Sequence, residues 1–291
     1  MIGITARQLE AFVATATSRS VRAAAEQLHL TQPAVSMTLA ELERQLGTPL
    51  FDRERGRLHM NHHGRDLLPM AREILERMRE LYRHTSEQTQ QMTGELRLGA
   101  SNTVGNYLVG SLLGTFVKMY AEVAVHLTVG NTDAIVAGLL DHTLDLGCVE
   151  GPVSHPQLEV RAWREDVLVV CARPDHVLAK RRRLRAHDFS GTRWIMREPG
   201  SATRALNERA LSALPGGQVV MELGQVEAIK QAVVAGLGIA CLPAAAVDDA
   251  VAAHRLVVLP TPFLDLRRSL SLVLHKTRYR GALIKAFLAS V

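Results

Sequence analysis

Apolar residues recur at helical spacing through the first third of the chain. Leu9, Phe12, Val13 and Ala16 fall at i, i+3, i+4 and i+7, one face of a helix. A short alanine-rich helix over residues 21–28 follows. Thr31 can then cap a third helix, with Pro33 in its first turn, where no intrahelical donor is needed. Val35, Leu39, Leu42 and Leu46 mark the buried face of that helix, and Gly47 ends it. Two helices joined by so short a turn predict a helix-turn-helix, whose second helix can enter a major groove. Its other face carries Gln32, Ser36, Met37 and Ala40. Gln32 and Ser36 have the hydrogen-bonding groups to read base edges, and the small Ala40 allows close approach.

The next run, Phe51-Asp52-Arg53-Glu54-Arg55-Gly56-Arg57-Leu58-His59, alternates arginines around a glycine turn. It suits a β-wing whose guanidiniums reach phosphates or the minor groove. Without DNA, the same pattern describes a solvated hairpin on a small helical module. Asn61 can cap a long helix running to about Gln91, roughly 45 Å at 1.5 Å per residue. Its apolar stripe (Leu67, Leu68, Ala71, Ile74, Leu75, Met78, Leu81 and Tyr82) is expected to pair with the same helix of a second subunit. Pro69, inside this stripe, predicts a kink.

Near Gly94 the pattern changes from continuous helix to alternating strands and helices. Residues 95–100 alternate as a strand, and Ser101-Asn102-Thr103 opens an apolar helix. A second strand over residues 123–130 leads to Asn131-Thr132, which opens another helix, and residues 145–149 form a third strand. The βαβαβ order predicts a parallel sheet with a ligand crevice at the carboxyl ends of its strands.

Composition narrows the class. At 291 residues, 47% hydrophobic and 22% charged, the chain is an ordinary globular protein of about two domains. The aromatic content of 4% leaves a core of Ala, Val and Leu. The net charge of +5 is a weak hint of nucleic acid, because residues 1–90 hold 12 Arg against 11 acids. Cys148, Cys171 and Cys241 stand far apart, which fits a reducing cytoplasm and no disulfide or zinc framework. No export signal or membrane span is expected, nor a metal at His59, His62 and His63. No GxSxG elbow is present, and Gly236-x-Gly238 lacks the dinucleotide fingerprint, so no enzyme and no cofactor are expected. The basic run from Lys180 to Arg185 reads as a solvated loop.

Three sequence blocks then carry a family resemblance: Ala24-Ala25-x-x-Leu28 with Thr31-Gln32-Pro33-Ala34-Val35-Ser36, Leu42-Glu43-x-x-Leu46-Gly47-x-x-Leu50-Phe51-Asp52-Arg53, and Glu165-Asp166-x-Leu168-Val169-Val170 with Pro174-x-His176-x-Leu178-Ala179. In this order, over the whole chain, they resemble LysR-type transcriptional regulators. The resemblance implies an α/β protein: a winged helix-turn-helix in residues 1–60, a dimerisation linker helix in 61–92, and a two-lobed, periplasmic-binding-protein-like effector domain in 93–291. One lobe would hold about residues 93–166 and 268–291, the other about 167–267, with strands near residues 165–172 and 268–274 crossing between them. The implied partners are double-stranded promoter DNA, further copies of the chain as homodimer or homotetramer, and RNA polymerase. The DNA-contacting residues would be Thr31, Gln32, Pro33, Ser36, Arg53, Arg55 and Arg57.

In such a domain three strand ends deliver hydroxyls, amides and helix N-termini to one cleft, a setting for an anion. Each of these residues could instead merely cap its own helix. The expected effector ligands are Ser101, Asn102, Thr103, Asn131, Thr132, Glu150, Ser201, Thr203 and Glu227. Within the family, Arg197-Glu198-x-Gly200-Ser201-x-Thr203-Arg204 and Val129-Gly130-Asn131 look most like the sulfite-responsive regulators of sulfur metabolism. The effector expected on that resemblance is a small oxyanion, sulfite first. Regulators of carbon fixation share the first motif, which leaves phosphorylated metabolites or a small carboxylate as the alternative. Glu150 and Glu227 oppose a fully ionised anion unless they face away or share its proton.

Overall fold

The computed structural model describes residues 3–54, 57–85 and 92–291. The backbone divides into two compact units. One comprises Met1–Gly94, Asp141–Thr143 and Thr277–Ala289; the other comprises Glu95–Leu140, Leu144–Lys276 and Ser290–Val291.

The first unit begins with α1 (Ala6–Ser18), α2 (Val21–Gln27) and α3 (Gln32–Leu46). Each starts where a hydroxyl satisfies a free backbone donor. Thr5 and Gln8 form a reciprocal capping box, Ser20 accepts from Ala23 N, and Thr31 accepts from Ala34 N at 3.3 Å. The turn between α2 and α3 passes through His29 in the left-handed region, φ 54°. Leu9, Phe12, Val35, Leu39 and Leu42, at positions that the periodicity marks, form the shared core with Leu50, and Val13, Ala16 and Leu46 are partly buried against it. Strands β1 (Phe51–Glu54) and β2 (Arg57–Met60) pair antiparallel as the wing. Glu43 fastens the wing to α3, its Oε1 accepting from Leu50 N at 2.7 Å and Phe51 N at 3.3 Å.

Helix α4 (His62–Thr85) starts at Asn61, whose Oδ1 accepts from Gly64 N at 3.0 Å while its amide donates to the Pro49 carbonyl. The helix continues through Pro69, and the expected extension to Gln91 lies outside the described residues. Its apolar stripe is not one seam. Leu68, Ala71 and Leu75 are buried in the core of the first three helices, whereas Met70, Ile74, Leu81 and Tyr82 are exposed. The segment Thr277–Ala289 belongs to this unit: Ala282 N donates to Glu80 Oε1 at 2.9 Å, and Arg77 lies 4.3 Å from the centroid of the Tyr279 ring.

The second unit is built on a mixed sheet. In chain order its strands are β3 (Gly94–Ser101), β4 (Val123–Gly130), β5 (Leu146–Glu150), β6 (Leu158–Ala172), β9 (Ala240–Pro243), β10 (Val257–Leu259) and β11 (Arg267–His275). They lie in the order β10-β6-β11-β5-β3-β4, with β9 also on β6. The expected parallel pairing holds for β3 with β5, but the sheet as a whole is not parallel. Long β11 runs antiparallel to both β5 and β6, because the chain returns through it from the second lobe. Strand β6 pairs with β11 up to Val167 and with β9 and β10 beyond it, so one strand serves both lobes. On the first lobe α5 (Val109–Met119) and α6 (Thr132–Leu140) accompany the sheet.

In the second lobe β7 (Arg193–Arg197) and β8 (Gln218–Leu223) pair in parallel beside α7 (Ala202–Leu211), α8 (Val226–Val234) and α9 (Ala244–Ala252). Strand β7 is covered on both faces, while β8 is largely exposed. Trp194 and Met196 enter one core with Leu168 and Val170, while the intervening Ile195 joins Cys171 in another. The basic run over residues 180–185 is exposed apart from Leu184, which anchors it in the first of these cores. Glu43→Ala should free the two backbone donors at the start of the wing. The expected loss is roughly 1–3 kcal/mol of stability in denaturant unfolding.

Candidate functional site

At the carboxyl end of β3 and β5, buried polar side chains from both lobes meet around one guanidinium. Arg268, on β11, stands directly opposite Asp166 on β6, and its Nε donates to Asp166 Oδ2 at 2.7 Å. Its Nη1 donates to Thr203 Oγ1 at 2.9 Å and its Nη2 to Thr103 Oγ1 at 2.9 Å. Both hydroxyls in turn approach Glu150 Oε1, at 3.1 Å from Thr103 and 3.4 Å from Thr203. Glu150 itself lies 3.5 Å from Arg268 Nη1. The side chains of Arg268 and Glu150 are only 4% and 2% exposed, a setting in which polar groups need partners.

Three of the nine expected effector residues, Thr103, Glu150 and Thr203, join this network, and buried Ser101 and Ser201 stand two residues before the two threonines in the chain. Ser201 occupies the N-cap of α7 but makes no capping hydrogen bond, and its Oγ is buried without a partner. Ser101 Oγ and Glu150 Oε2 are buried and unpartnered in the same way. The simple capping role therefore fails for Ser201. It holds for Asn131, whose Oδ1 accepts from Ala134 N at 2.9 Å at the start of α6.

Asn102 and Thr132 act on the frame of the site. Asn102 donates to the Gly130 carbonyl at 3.1 Å, tying the end of β3 to the end of β4. Thr132 donates to the Glu150 carbonyl at 3.3 Å. Asn131 also reaches across the lobes to Glu198 Oε1 at 3.2 Å, and Asp133 N donates to the Gly200 carbonyl. The lobes approach so closely here that a Cβ on Gly151 would stand 2.8 Å from Ala202 Cβ. Gly151 and Gly200 both adopt positive φ, 78° and 81°, which glycine alone takes at little cost.

Glu227 lies outside this hydrogen-bonded cluster. It pairs with Lys230 at 2.7 Å, accepts from Gln231, and accepts from Tyr107 of the other lobe at 3.2 Å. Burial pushes its carboxyl up, but these partners outweigh that and hold it below its ordinary value. The same contest at Glu198 is won by Arg197, whose side chain is 1% exposed and keeps Nη1 without a hydrogen-bond partner.

Sequence reasoning missed Arg268 and Asp166 as site residues, whereas Arg197 and Arg204 stand out in the sequence as the arginines available to a phosphate ester. Asp166 and Arg268 are 102 positions apart and meet only through strand register. The visible signal is a cation at the start of a strand expected to cross between lobes. The three thiols are buried and stay protonated: burial pushes Cys171 up to about 12 and raises Cys148 and Cys241 further.

On the first unit, Thr31, Gln32 and Pro33 are exposed at the start of α3, Ser36 is half-buried, and Met37 is 74% exposed. Together they leave the first turns of α3 accessible. Arg55 lies outside the described residues, as do the side chains of Arg53 and Arg57. Among the described residues no group of His, Cys, Asp or Glu is arranged to hold a metal, and no helix is long and apolar enough to cross a membrane.

A winged helix-turn-helix joined to a two-lobed ligand-binding domain defines a ligand-responsive transcriptional regulator, not an enzyme. Residues 6–65 match the bacterial regulatory helix-turn-helix protein of the lysR family, and residues 89–291 match the LysR substrate binding domain. The chain belongs to the LysR family. It is 38% identical to the transcriptional regulator YeiE of Escherichia coli strain K12, over 98% of this chain and 96% of that protein. It is 32% identical to the RuBisCO operon transcriptional regulator of Allochromatium vinosum, over 98% and 94%. A single-site variant of full-length OxyR from Pseudomonas aeruginosa shares the fold, with a TM-score of 0.79 at 22% identity over 99% and 94%.

Arg268→Met should strand Glu150 and Asp166 as unpaired buried acids, at a cost of about 3–5 kcal/mol in chemical denaturation. Arg268→Lys should recover only part of this, because an ammonium lacks the planar fork that spans two threonines and a carboxylate.

Proposed function

We propose that the protein is a cytoplasmic, promoter-binding LysR regulator whose activity is set by a small oxyanion, sulfite first, in the control of sulfur metabolism. The observation that carries the effector reading is the set of buried, unpartnered Glu150 Oε2, Ser101 Oγ and Ser201 Oγ, on or within two residues of the side chains that bind Arg268. Buried polar atoms cost free energy unless a partner reaches them, and a compact ligand between the lobes supplies one. The close approach of the lobes at Gly151 and Gly200 favours a ligand of a few atoms. Asn131 and Thr132 shape this site, Asn102 donates to the Gly130 carbonyl and keeps a buried, unpartnered Oδ1, and Glu227 joins the lobes outside the cluster.

A second reading, a phosphorylated metabolite or small carboxylate, is supported by the likeness to the RuBisCO operon regulator and by the free Nη1 of buried Arg197. Calorimetry with sulfite, sulfate, phosphate and small carboxylates separates the two. Sulfite should bind, and Ser201→Ala with Thr103→Val should weaken it by about tenfold or more. Tight binding of a sugar phosphate with no heat from sulfite would establish the second reading instead.

Promoter DNA is read by the start of α3, with Gln32 and Ser36 on base edges, Thr31 and Pro33 shaping the helix entry, and the wing arginines on phosphates. Substituting Gln32 or Ser36 should change which sequences are preferred. Removing Arg53, Arg55 or Arg57 should weaken binding on all sequences and lower the salt slope by about one per phosphate contact. DNA binding that survives deletion of residues 1–60 would refute this.

The protein acts as a homodimer or homotetramer, with RNA polymerase as a further partner at the promoter. The dimer seam is the exposed half of the α4 stripe, Ile74, Leu81 and Tyr82, together with the exposed Met70 beside it. Ile74→Glu with Leu81→Glu should give folded monomers in sedimentation. Leu75→Glu should unfold the helix-turn-helix instead, since Leu75 is a core residue.

A further inference from the structure

Resting on the oxyanion reading above, we propose that the cleft accepts only oxyanions that share a proton with Glu150, which makes Glu150 the residue that separates proton-bearing oxyanions from proton-free ones.

The inference follows from the direction of each hydrogen bond. A guanidinium only donates, so Thr103 Oγ1 and Thr203 Oγ1 must accept from Arg268. Each threonine then has one hydroxyl proton left, and its remaining neighbour is Glu150 Oε1. Arg268 thereby turns both hydroxyls toward the same carboxylate oxygen and saturates it. Oε2 of the same group is buried with no partner in the protein. An oxygen of a bound anion placed against Oε2 would set acceptor against acceptor. One proton between them, brought by the ligand, converts that repulsion into a charge-assisted hydrogen bond. Ser101 and Ser201 have rotatable hydroxyls and can donate to the other ligand oxygens.

The charge balance points the same way. Arg268 is shared between Asp166 and Glu150, and Arg197 is paired with Glu198, so neither guanidinium is left as a full counter-charge for a dianion. The other groups that face Glu150 do not titrate near neutrality. Arg268 on β11 donates to Thr103 and Thr203, which carry only hydroxyls. Cys148, two residues back on β5, is held protonated by burial and then by Glu150 itself. Asp166 on β6 is reached through Arg268. The proton that varies is therefore the one between ligand and Glu150.

The test is calorimetry on the full chain with sulfite, inorganic phosphate and sulfate, below and above neutral pH, in two buffers of different ionisation heat. Sulfite, whose protonated form ionises near neutral pH, should lose about tenfold in affinity per pH unit above that point, with one proton taken up on binding. Phosphate, which also carries a proton, should not be excluded on this ground. Sulfate should bind the wild type about a hundredfold more weakly than sulfite. Glu150→Gln places an amide donor at Oε2 and should bring sulfate within about tenfold of sulfite while flattening the pH profile.

Sulfate binding as tightly as sulfite, or sulfite affinity that is constant with pH and without proton uptake, overturns the proposal and leaves the oxyanion reading standing. Unchanged discrimination in a folded Glu150→Gln protein overturns the assignment to Glu150. No heat from any of the three anions overturns the oxyanion reading, and this proposal with it. The wild-type pH profile and proton count decide the matter even if the variant does not fold.

Discussion

The effector half of this protein depends on one buried guanidinium. Arg268 holds Asp166 across the strand pair, Thr103 from one lobe and Thr203 from the other, and it lies close to Glu150. A cation so deeply buried is tolerable only because acceptors surround it, and the carboxylates are tolerable only because the cation is there. The mutual need makes the geometry stringent. A shift of either lobe would break a donor-acceptor pair in a setting where water is not at hand to replace it. Lobe position and the chemistry of the site are thus two views of one hydrogen-bond network.

The same constraint explains the local choices around it. Gly151 and Gly200 stand where the lobes approach too closely for a side chain, and both take backbone angles suited to glycine. Asn102 and Thr132 spend their donors on carbonyls at strand ends, which fixes the ends that carry Ser101 and Glu150. Strand β6, shared between lobes, brings Asp166 to Arg268 while its continuation is buried in the second lobe. Arg268, Asp166 and Glu150 are consequently mounted on strands and Thr203 on α7, where position is better defined than on loops.

In the other unit a comparable economy governs α4. One helix supplies Leu68, Ala71 and Leu75 to the helix-turn-helix core and leaves Met70, Ile74, Leu81 and Tyr82 exposed. At 3.6 residues per turn, an apolar stripe of this width spans two directions, and its two edges meet different surroundings. Hydrophobic periodicity identifies the helix and its apolar side. It does not divide that side between an internal core and an external seam.

Local patterns in the chain were enough for the helix-turn-helix, its caps at Thr31 and Asn61, the wing strands and the alternation of strands and helices beyond Gly94. These features depend on neighbours within a few residues: capping hydroxyls, glycine stops and side-chain periods of 3.6 and 2. Most hydroxyl and carboxylate positions of the candidate site were legible as well, because they sit at strand ends that open helices. What only the tertiary structure decided was which of them are used up and which are free. Asn131 caps and Ser201 does not, Glu227 is bound to Lys230, and Arg268 occupies the centre. The antiparallel return of β11, which makes the sheet mixed, was equally invisible. Strand register and lobe contact join residues about a hundred positions apart, and no local spacing in a chain encodes which strand will lie beside which.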